Sequence, residues 1–381
     1  MNARDMKIRT ITTGIPFPFS SYQLERAAKF NAAAQTYFEA NGYEVQTTRV
    51  SSQIWDEARD IDAILRLDIQ AQAFGIDFLN LGTILPGKRS TKTHLDHVAD
   101  VIVQSEMLFA TVTVTTQSGD VASEITESTA DIIQQIAHQT NAGYGNLRFA
   151  ALMNCPPNTP FFPAAYWQDT RTNFGIGWQA ADLVNQAFTG AQNLDPALQT
   201  LKLLLEMEGQ KIVALAETLA QEWGIKFVGI DVSPAPMGDE SIAYAMEQQL
   251  RGYFGERGTL TVAAGLTRTL RSLDLPLCGY SGLMLPVLED VGLGERSESG
   301  YFNLDSLLLY STVCGTGLDT IPIPGDASNA QLTAILTDVA TLSIQLSKPL
   351  SVRLFPVPGR KAGDMTQFQS PYLTNTKVMQ I

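Results

Sequence analysis

Strand-like apolar runs alternate with helical patterns along this chain from its first residues to its last, and that alternation limits the folds open to it. Residues 7–13, 43–50, 76–84, 107–115, 146–153, 227–231 and 351–355 read as strands. Between them, residues 22–40, 57–74, 93–104, 123–139, 196–223, 241–253, 260–273 and 330–346 repeat apolar side chains at helical spacing. Ser20 or Ser21 can cap the first helix, Asn41-Gly42 supplies its stop, and Gly224 ends the longest one. Residues 283–291 fit neither pattern cleanly. Strands joined through helices by short connections predict a parallel or mostly parallel sheet. About eight to ten strands in a chain of this length favour an α/β fold closed into a barrel, with helices outside. No Pro-, Ser- or Gly-rich linker divides the chain, so residues 1–381 are expected to form one domain.

Charge and composition exclude several classes of function. Hydrophobic residues make up 45% of the chain, ample for a large core, which excludes disorder. Lys and Arg total 26 against 39 Asp and Glu, a formal charge of -13, so phosphate backbones and anionic lipid are repelled. No basic run offsets this, and a nucleic-acid partner is not expected. No segment approaches the ~18 apolar residues of a membrane span, and residues 1–13 lack the apolar core of a signal peptide. Cys155, Cys278 and Cys314 are too few and too scattered for a disulfide framework or a cysteine-rich zinc site. A cytoplasmic, reducing location is the expectation, and a homo-oligomer is compatible with it.

Four segments interrupt the rhythm with Gly, Pro and polar residues: 153–166, 229–236, 313–326 and 356–364. Three of them follow apolar strand-like runs, where α/β folds place their sites. Asp231 ends one such run and is followed by Pro234-Ala-Pro236. It reads either as a ligand-orienting, catalytic or metal-binding carboxylate, or as a cap for the loop that follows. Cys314-Gly315-Thr316-Gly317 has the composition of a backbone-amide nest for an anion, with Asp319 and Asp326 close behind. Cys314 is a nucleophile only if its thiol pKa is lowered; a small buried thiol is the alternative.

Other motifs carry less. Residues 82–88 match the first part of a phosphate-binding loop, but Arg89 stands where a magnesium-holding hydroxyl belongs. His94 and His97 are neighbours on a helix without a defined third ligand, which favours a solvated helix start over a zinc site. Glu124, Glu127 and Asp131 form an acidic helical stripe, most simply a solvated face.

The strings Asn158-Thr-Pro-Phe-Phe-Pro-Ala-Ala-Tyr166, Gly229-Ile-Asp-Val-Ser-Pro-Ala-Pro236, Val313-Cys-Gly-Thr-Gly-Leu-Asp-Thr-Ile-Pro-Ile-Pro-Gly-Asp326 and Pro358-Gly-Arg-Lys-Ala-Gly-Asp364 resemble domain-of-unknown-function family 711, an uncharacterised prokaryotic family. The resemblance is densest over residues 150–370. It implies a barrel of about ten strands like that of pyruvate formate-lyase and the other glycyl radical enzymes, in two halves that run antiparallel. The activity does not carry over: the Arg-Val-x-Gly-Tyr/Phe string of those enzymes is absent here, so no glycyl radical is expected.

The expected function is that of a barrel enzyme acting on a small anionic metabolite. Asp231, Cys314 and Asp319 are the catalytic candidates. Gly315, Thr316, Gly317, Arg360 and Lys361 are the substrate-binding ones. Asp231, Asp319 and Asp326 are the ligands for a divalent cation such as magnesium or calcium, since carboxylates without His or paired Cys suit hard ions. The alternative is a non-catalytic metabolite-binding or regulatory protein on an enzyme-derived barrel. The four loops are expected to meet in one pocket.

Overall fold

The computed structural model describes residues 6–16, 20–53, 61–87, 91–237 and 240–381. The near-match to a phosphate-binding loop ends on Lys88, Arg89 and Ser90, which lie outside the described residues, as do residues 57–60 of the second expected helix. The first half of the chain runs β1 (Met6–Gly14), α1 (Ser21–Ala40), β2 (Tyr43–Val45), β3 (Thr48–Ser51), α2 (Ile61–Ala73), β4 (Phe78–Ile84), α3 (Thr91–Gln104), β5 (Leu108–Thr113), α4 (Ser123–Gln139), a 3-10 segment (Asn141–Arg148) and β6 (Phe149–Met153). The second half runs β7 (Asn173–Gln179), α5 (Ala181–Phe188), α6 (Leu194–Trp223), β8 (Lys226–Asp231), α7 (Ile242–Glu247), α8 (Thr259–Arg271), α9 (Val291–Glu298), α10 (Leu304–Ser311), β9 (Gly317–Pro324), α11 (Asn329–Leu346) and β10 (Leu350–Val357).

Local chemistry sets the helix ends. Ser20 and Gln23 form a capping box at the start of α1, and Ser328 and Gln331 do the same for α11. At the end of α6, Gly224 takes a left-handed conformation (φ 62°) that costs a residue without Cβ little.

The strands build a ten-stranded mixed sheet in the order β8-β7-β1-β3-β4-β5-β6-β10-β9, with β2 beside β1. Strands β1 to β6 are mutually parallel. Strands β7 and β8 are parallel to each other, and β7 runs antiparallel to β1; β9 and β10 form a second parallel pair, antiparallel to β6 through β10. Helices surround the sheet, and one large apolar cluster joins them to it, including Ile8, Phe30, Val50, Trp178 and Leu336. No described helix is long and apolar enough to cross a membrane.

The sheet does not form the expected closed barrel: its ladders do not close, and the path ends at β8 and β9. The segment 276–287 lies between those ends without forming a regular strand. At β8, the Ile230 N–H donates to the Pro276 carbonyl (2.9 Å) and the Cys278 N–H to the Ile230 carbonyl (3.1 Å). At β9, the Val287 N–H donates to the Asp319 carbonyl (3.0 Å).

Two strands depart from the sequence reading. Residues 317–324, expected as loop, form β9 despite Pro322 and Pro324; among the described residues its one ladder is to β10, and a proline without N–H is tolerated on such an edge. Strand β7, Asn-Phe-Gly-Ile-Gly-Trp-Gln, was hidden by its two glycines. Gly177 is required there because a Cβ would lie 2.9 Å from Thr10 and 3.1 Å from the ring of Phe161.

Candidate functional site

Side chains of a parallel strand that stand in register point to the same face of a sheet. Arg49 on β3 is in register with Phe78 on β4, and Asn80, two residues on, with Phe109 on β5. The pairing of Ala110 with Phe149 places Arg148, one residue before β6, beside Phe109. This row of two arginines and two phenylalanines lines one wall of an internal cavity of about 840 Å³. Arg9 from β1 and Arg353 from β10 line it as well, with Glu289, Asp319 and Tyr280. Four guanidinium groups thus meet two carboxylates inside the wall; Glu44 and Glu106, also at the cavity, are exposed.

The partners of each cation are unequal. Arg353 is saturated: its Nε donates to Asp319 Oδ1 (2.5 Å) and its Nη2 to Glu289 Oε1 (2.6 Å). Burial works against that charge, but the two carboxylates carry the guanidinium above its ordinary pKa. Arg9 shares Glu289 at 3.5 Å and donates to Gln46 Oε1 (3.2 Å) and Met237 Sδ (2.8 Å). Burial lowers its pKa.

Arg49 has no carboxylate within ion-pair distance among the described residues. Its Nε donates to Thr47 Oγ1 (3.0 Å), and its guanidinium lies 5.5 Å from the Phe78 ring centre and 5.2 Å from that of Phe162. Those rings are braced by Phe109, in edge contacts at 5.3 and 5.1 Å. Burial first, and then the nearby charge of Arg9, bring the Arg49 pKa down to about 9. Arg148 also lacks a carboxylate partner among the described residues; it donates to the carbonyls of Ser105 and Leu108, and burial lowers its pKa to about 10.

Three of the four expected loops reach this cavity. Residues 161–164 enter it, held by hydrogen bonds from Thr12 Oγ1 to the Pro160 carbonyl (2.7 Å) and from Asn80 Nδ2 to the Pro163 carbonyl (2.6 Å). Ala235 and Pro236 come from the second loop, Thr316 and Asp319 from the third. The fourth stands elsewhere: Pro358 and Gly359 border a separate shallow hollow with Asp326 and His138. Arg360 and Lys361, expected as counter-charges, do not line the cavity; Arg360 pairs with Gln367 on an exposed turn, and Lys361 is exposed. The strand arginines occupy the place expected of them.

The remaining site residues have other neighbours. Asp231 is fully buried, and its carboxylate accepts from Ser233 N (3.0 Å), Ser233 Oγ (2.6 Å), Tyr280 N (2.8 Å) and Ser281 N (3.0 Å). Burial pushes its pKa up more than these hydrogen bonds pull it down. With both oxygens so engaged, Asp231 acts as a clamp on residues 279–281, the local-cap alternative in a longer-range form. Cys314 is fully buried, and its sulfur accepts from the Gly317 N–H (3.4 Å). The Gly315 N–H donates to the Leu283 carbonyl (2.7 Å), so these two amides of the expected nest are engaged within the protein. Gly315 is glycine because a Cβ would meet the Gly282 backbone at 2.6 Å.

Asp231, Asp319 and Asp326 do not converge as a metal site. Asp319 is held by Arg353, Asp231 by its four donors, and exposed Asp326 lies past the end of β9, in the hollow with His138 and Gly359. Among the described residues no group of three or more His, Cys, Asp or Glu side chains is arranged to hold a metal ion. His94, expected on a solvated helix start, is fully buried. The three cysteines are unpaired. Burial pushes the Cys155 thiol up to about 11; its sulfur lies 3.4 Å from Tyr280 Oη.

The fold and the cavity define an α/β protein with a mixed ten-stranded sheet and an arginine-lined interior. The sequence model of the family described as "Uncharacterised ACR (DUF711)" matches residues 1–370, and the chain belongs to that family. Among its relatives, the UPF0210 protein of Pyrobaculum aerophilum is 29% identical over 332 residues, covering 82% of this chain and 71% of the relative. That of Carboxydothermus hydrogenoformans is 28% identical over 316 residues, covering 78% and 69%. That of Pyrobaculum arsenaticum is 33% identical over 235 residues, covering 57% and 51%.

Proposed function

We propose that this protein binds a small organic anion in its arginine-lined cavity, with Arg49 as the principal contact. The observation that carries the reading is a buried guanidinium whose company, among the described residues, is two aromatic rings rather than a carboxylate. A buried charge without a counter-ion is costly to a fold, and an incoming carboxylate supplies the missing partner. Guanidinium offers a planar fork of donors that matches a carboxylate edge. The phenylalanine floor suits an apolar body on the ligand. The reading includes a closed barrel like that of pyruvate formate-lyase, in which the irregular segment 276–287 stands in for a last strand between β8 and β9.

Binding is favoured over catalysis because both carboxylates of the inner wall are engaged by Arg353. The enzyme reading keeps one specific support: Asp319, Glu289 and Tyr280 face the same cavity and could serve as proton-transfer groups once a ligand rearranges those pairs. Thermal melts of the full chain with millimolar hexanoate, in wild type and Arg49→Gln, test the shared claim. Hexanoate is expected to raise the wild-type melting temperature and leave the variant unmoved. The ligand-free variant should melt at or above wild type, since it no longer buries an unpartnered charge. Equal hexanoate shifts in both proteins would overturn the reading.

A further inference from the structure

Two guanidinium groups of the cavity lack a carboxylate partner among the described residues, and they stand at opposite ends of one row. Arg49 is on β3 and Arg148 at the start of β6, with β4 and β5 between them. Three strand spacings and a two-residue step along β4 separate their backbones by roughly 16 Å. The interval between them is apolar: Phe78 and Phe109 stand in the row, and Phe162 packs on Phe109 from the entering loop. Arg9 and Arg353, by contrast, share Glu289 and Asp319, so their charges are largely matched. Among the described residues, two cations therefore remain without a carboxylate, at two separate places.

We propose that the ligand is a dianion whose two anionic groups are held apart by an apolar body, one group on Arg49 and the other on Arg148. The proposal rests on the reading of Arg49 as the principal contact and adds the chemical class of ligand. A compact dianion such as inorganic phosphate offers no apolar body to Phe78, Phe109 and Phe162, which lie between the two ends. A monocarboxylate fills only the Arg49 end and leaves Arg148 with its two backbone carbonyls. An α,ω-dicarboxylate meets both guanidinium forks and lays its methylenes or ring over the phenylalanines. The cavity volume of about 840 Å³ accommodates such a molecule.

The test compares adipate with hexanoate, probes of equal carbon number that differ in the second carboxylate, by calorimetric titration of the full chain. Wild type is expected to bind adipate roughly tenfold or more tighter than hexanoate, one charge-assisted pair being worth that much. Arg148→Gln should bring adipate down to the affinity of hexanoate while leaving hexanoate unchanged, a result that also shows the variant is folded. Arg148→Lys, which keeps the charge but loses the fork, should fall between. Arg49→Gln should lose both probes. Equal binding of the two probes by wild type, loss of both in Arg148→Gln, or binding of neither by wild type would each overturn the dianion. Hexanoate binding that depends on Arg49, without any gain for adipate, sinks the dianion and leaves the Arg49 site standing. Hexanoate binding indifferent to Arg49 sinks the site itself.

Discussion

Asp231 illustrates how a residue at a strand end can be legible as important without its role being legible. Its position after Phe227, Val228, Gly229 and Ile230 marks the end of a buried strand, from which the carboxylate is expected to leave the core at a pocket rim; it is instead fully buried. What its oxygens meet depends on residues 279–281, nearly fifty positions later, and no local pattern reports that. The structure makes it the clamp that fixes the backbone on which Tyr280 reaches the cavity. Gly279 fits beside it only because a Cβ there would lie 2.1 Å from Asp231 Oδ2. Asp231→Asn sets an amide donor against N–H groups that need an acceptor, so stability to denaturant should fall by about 2 kcal/mol. Hexanoate binding by the folded variant should persist, because Asp231 does not line the cavity. Unchanged stability with lost binding would restore the catalytic or metal-binding reading of this residue. The arginines were illegible for a related reason. Arg9, Arg49, Arg148 and Arg353 are single residues scattered over the chain, and only the sheet gathers them. The available signal was Arg353 within Ser351-Val-Arg-Leu-Phe355, a charge in an otherwise apolar strand, which demands an internal partner.

At the scale of elements, the periodic segments were the legible ones. Helices α1, α4, α6 and α11 fall close to their expected bounds, because their apolar spacing is regular and, in α1, α6 and α11, a Ser or Gly cap marks an end. The expected helix at residues 241–253 shrinks to α7, which stops at Glu247. The segment 283–291, which fits no period, belongs mostly to the irregular stretch between β8 and β9, held by isolated contacts rather than a ladder. Helix α5 carries a pH dependence of its own. Asp182 sits in its first turn, where burial lifts the carboxyl pKa to about 6 from its ordinary 3.8. A folded pKa above the unfolded one means the native state holds the proton more tightly. That contribution is complete below about pH 4 and is lost as the pH rises through 6. Asp182→Asn is therefore expected to stabilise the protein at pH 7.5, by about 1–2 kcal/mol after allowance for partial exposure and the favourable helix dipole. The gain should vanish near pH 4. Denaturant midpoints of both proteins at the two pH values check this, and a gain that persists at pH 4 would refute the assignment.

For the whole molecule, strand–helix alternation gave the α/β class and a mostly parallel sheet, while the two antiparallel junctions, β1 with β7 and β6 with β10, came only through the family resemblance. The second junction matters to the site, because it sets β10 beside β6 and so brings Arg353 to the interior that Arg9, Arg49 and Arg148 reach from the parallel strands. The acidic chain thus carries inside it positive charge that no carboxylate among the described residues pairs, where a low dielectric strengthens attraction for an anion. The central claim is that an organic anion occupies this interior on Arg49. Crystals soaked in 4-bromobenzoate test it most directly, since bromine gives an anomalous signal that fixes the position of the probe. The account predicts one dominant peak inside the cavity over the Phe78, Phe109 and Phe162 rings, with the carboxylate on the Arg49 guanidinium, and no such peak in Arg49→Gln. Bromine found only at the surface, or in the cavity of both proteins alike, would contradict it.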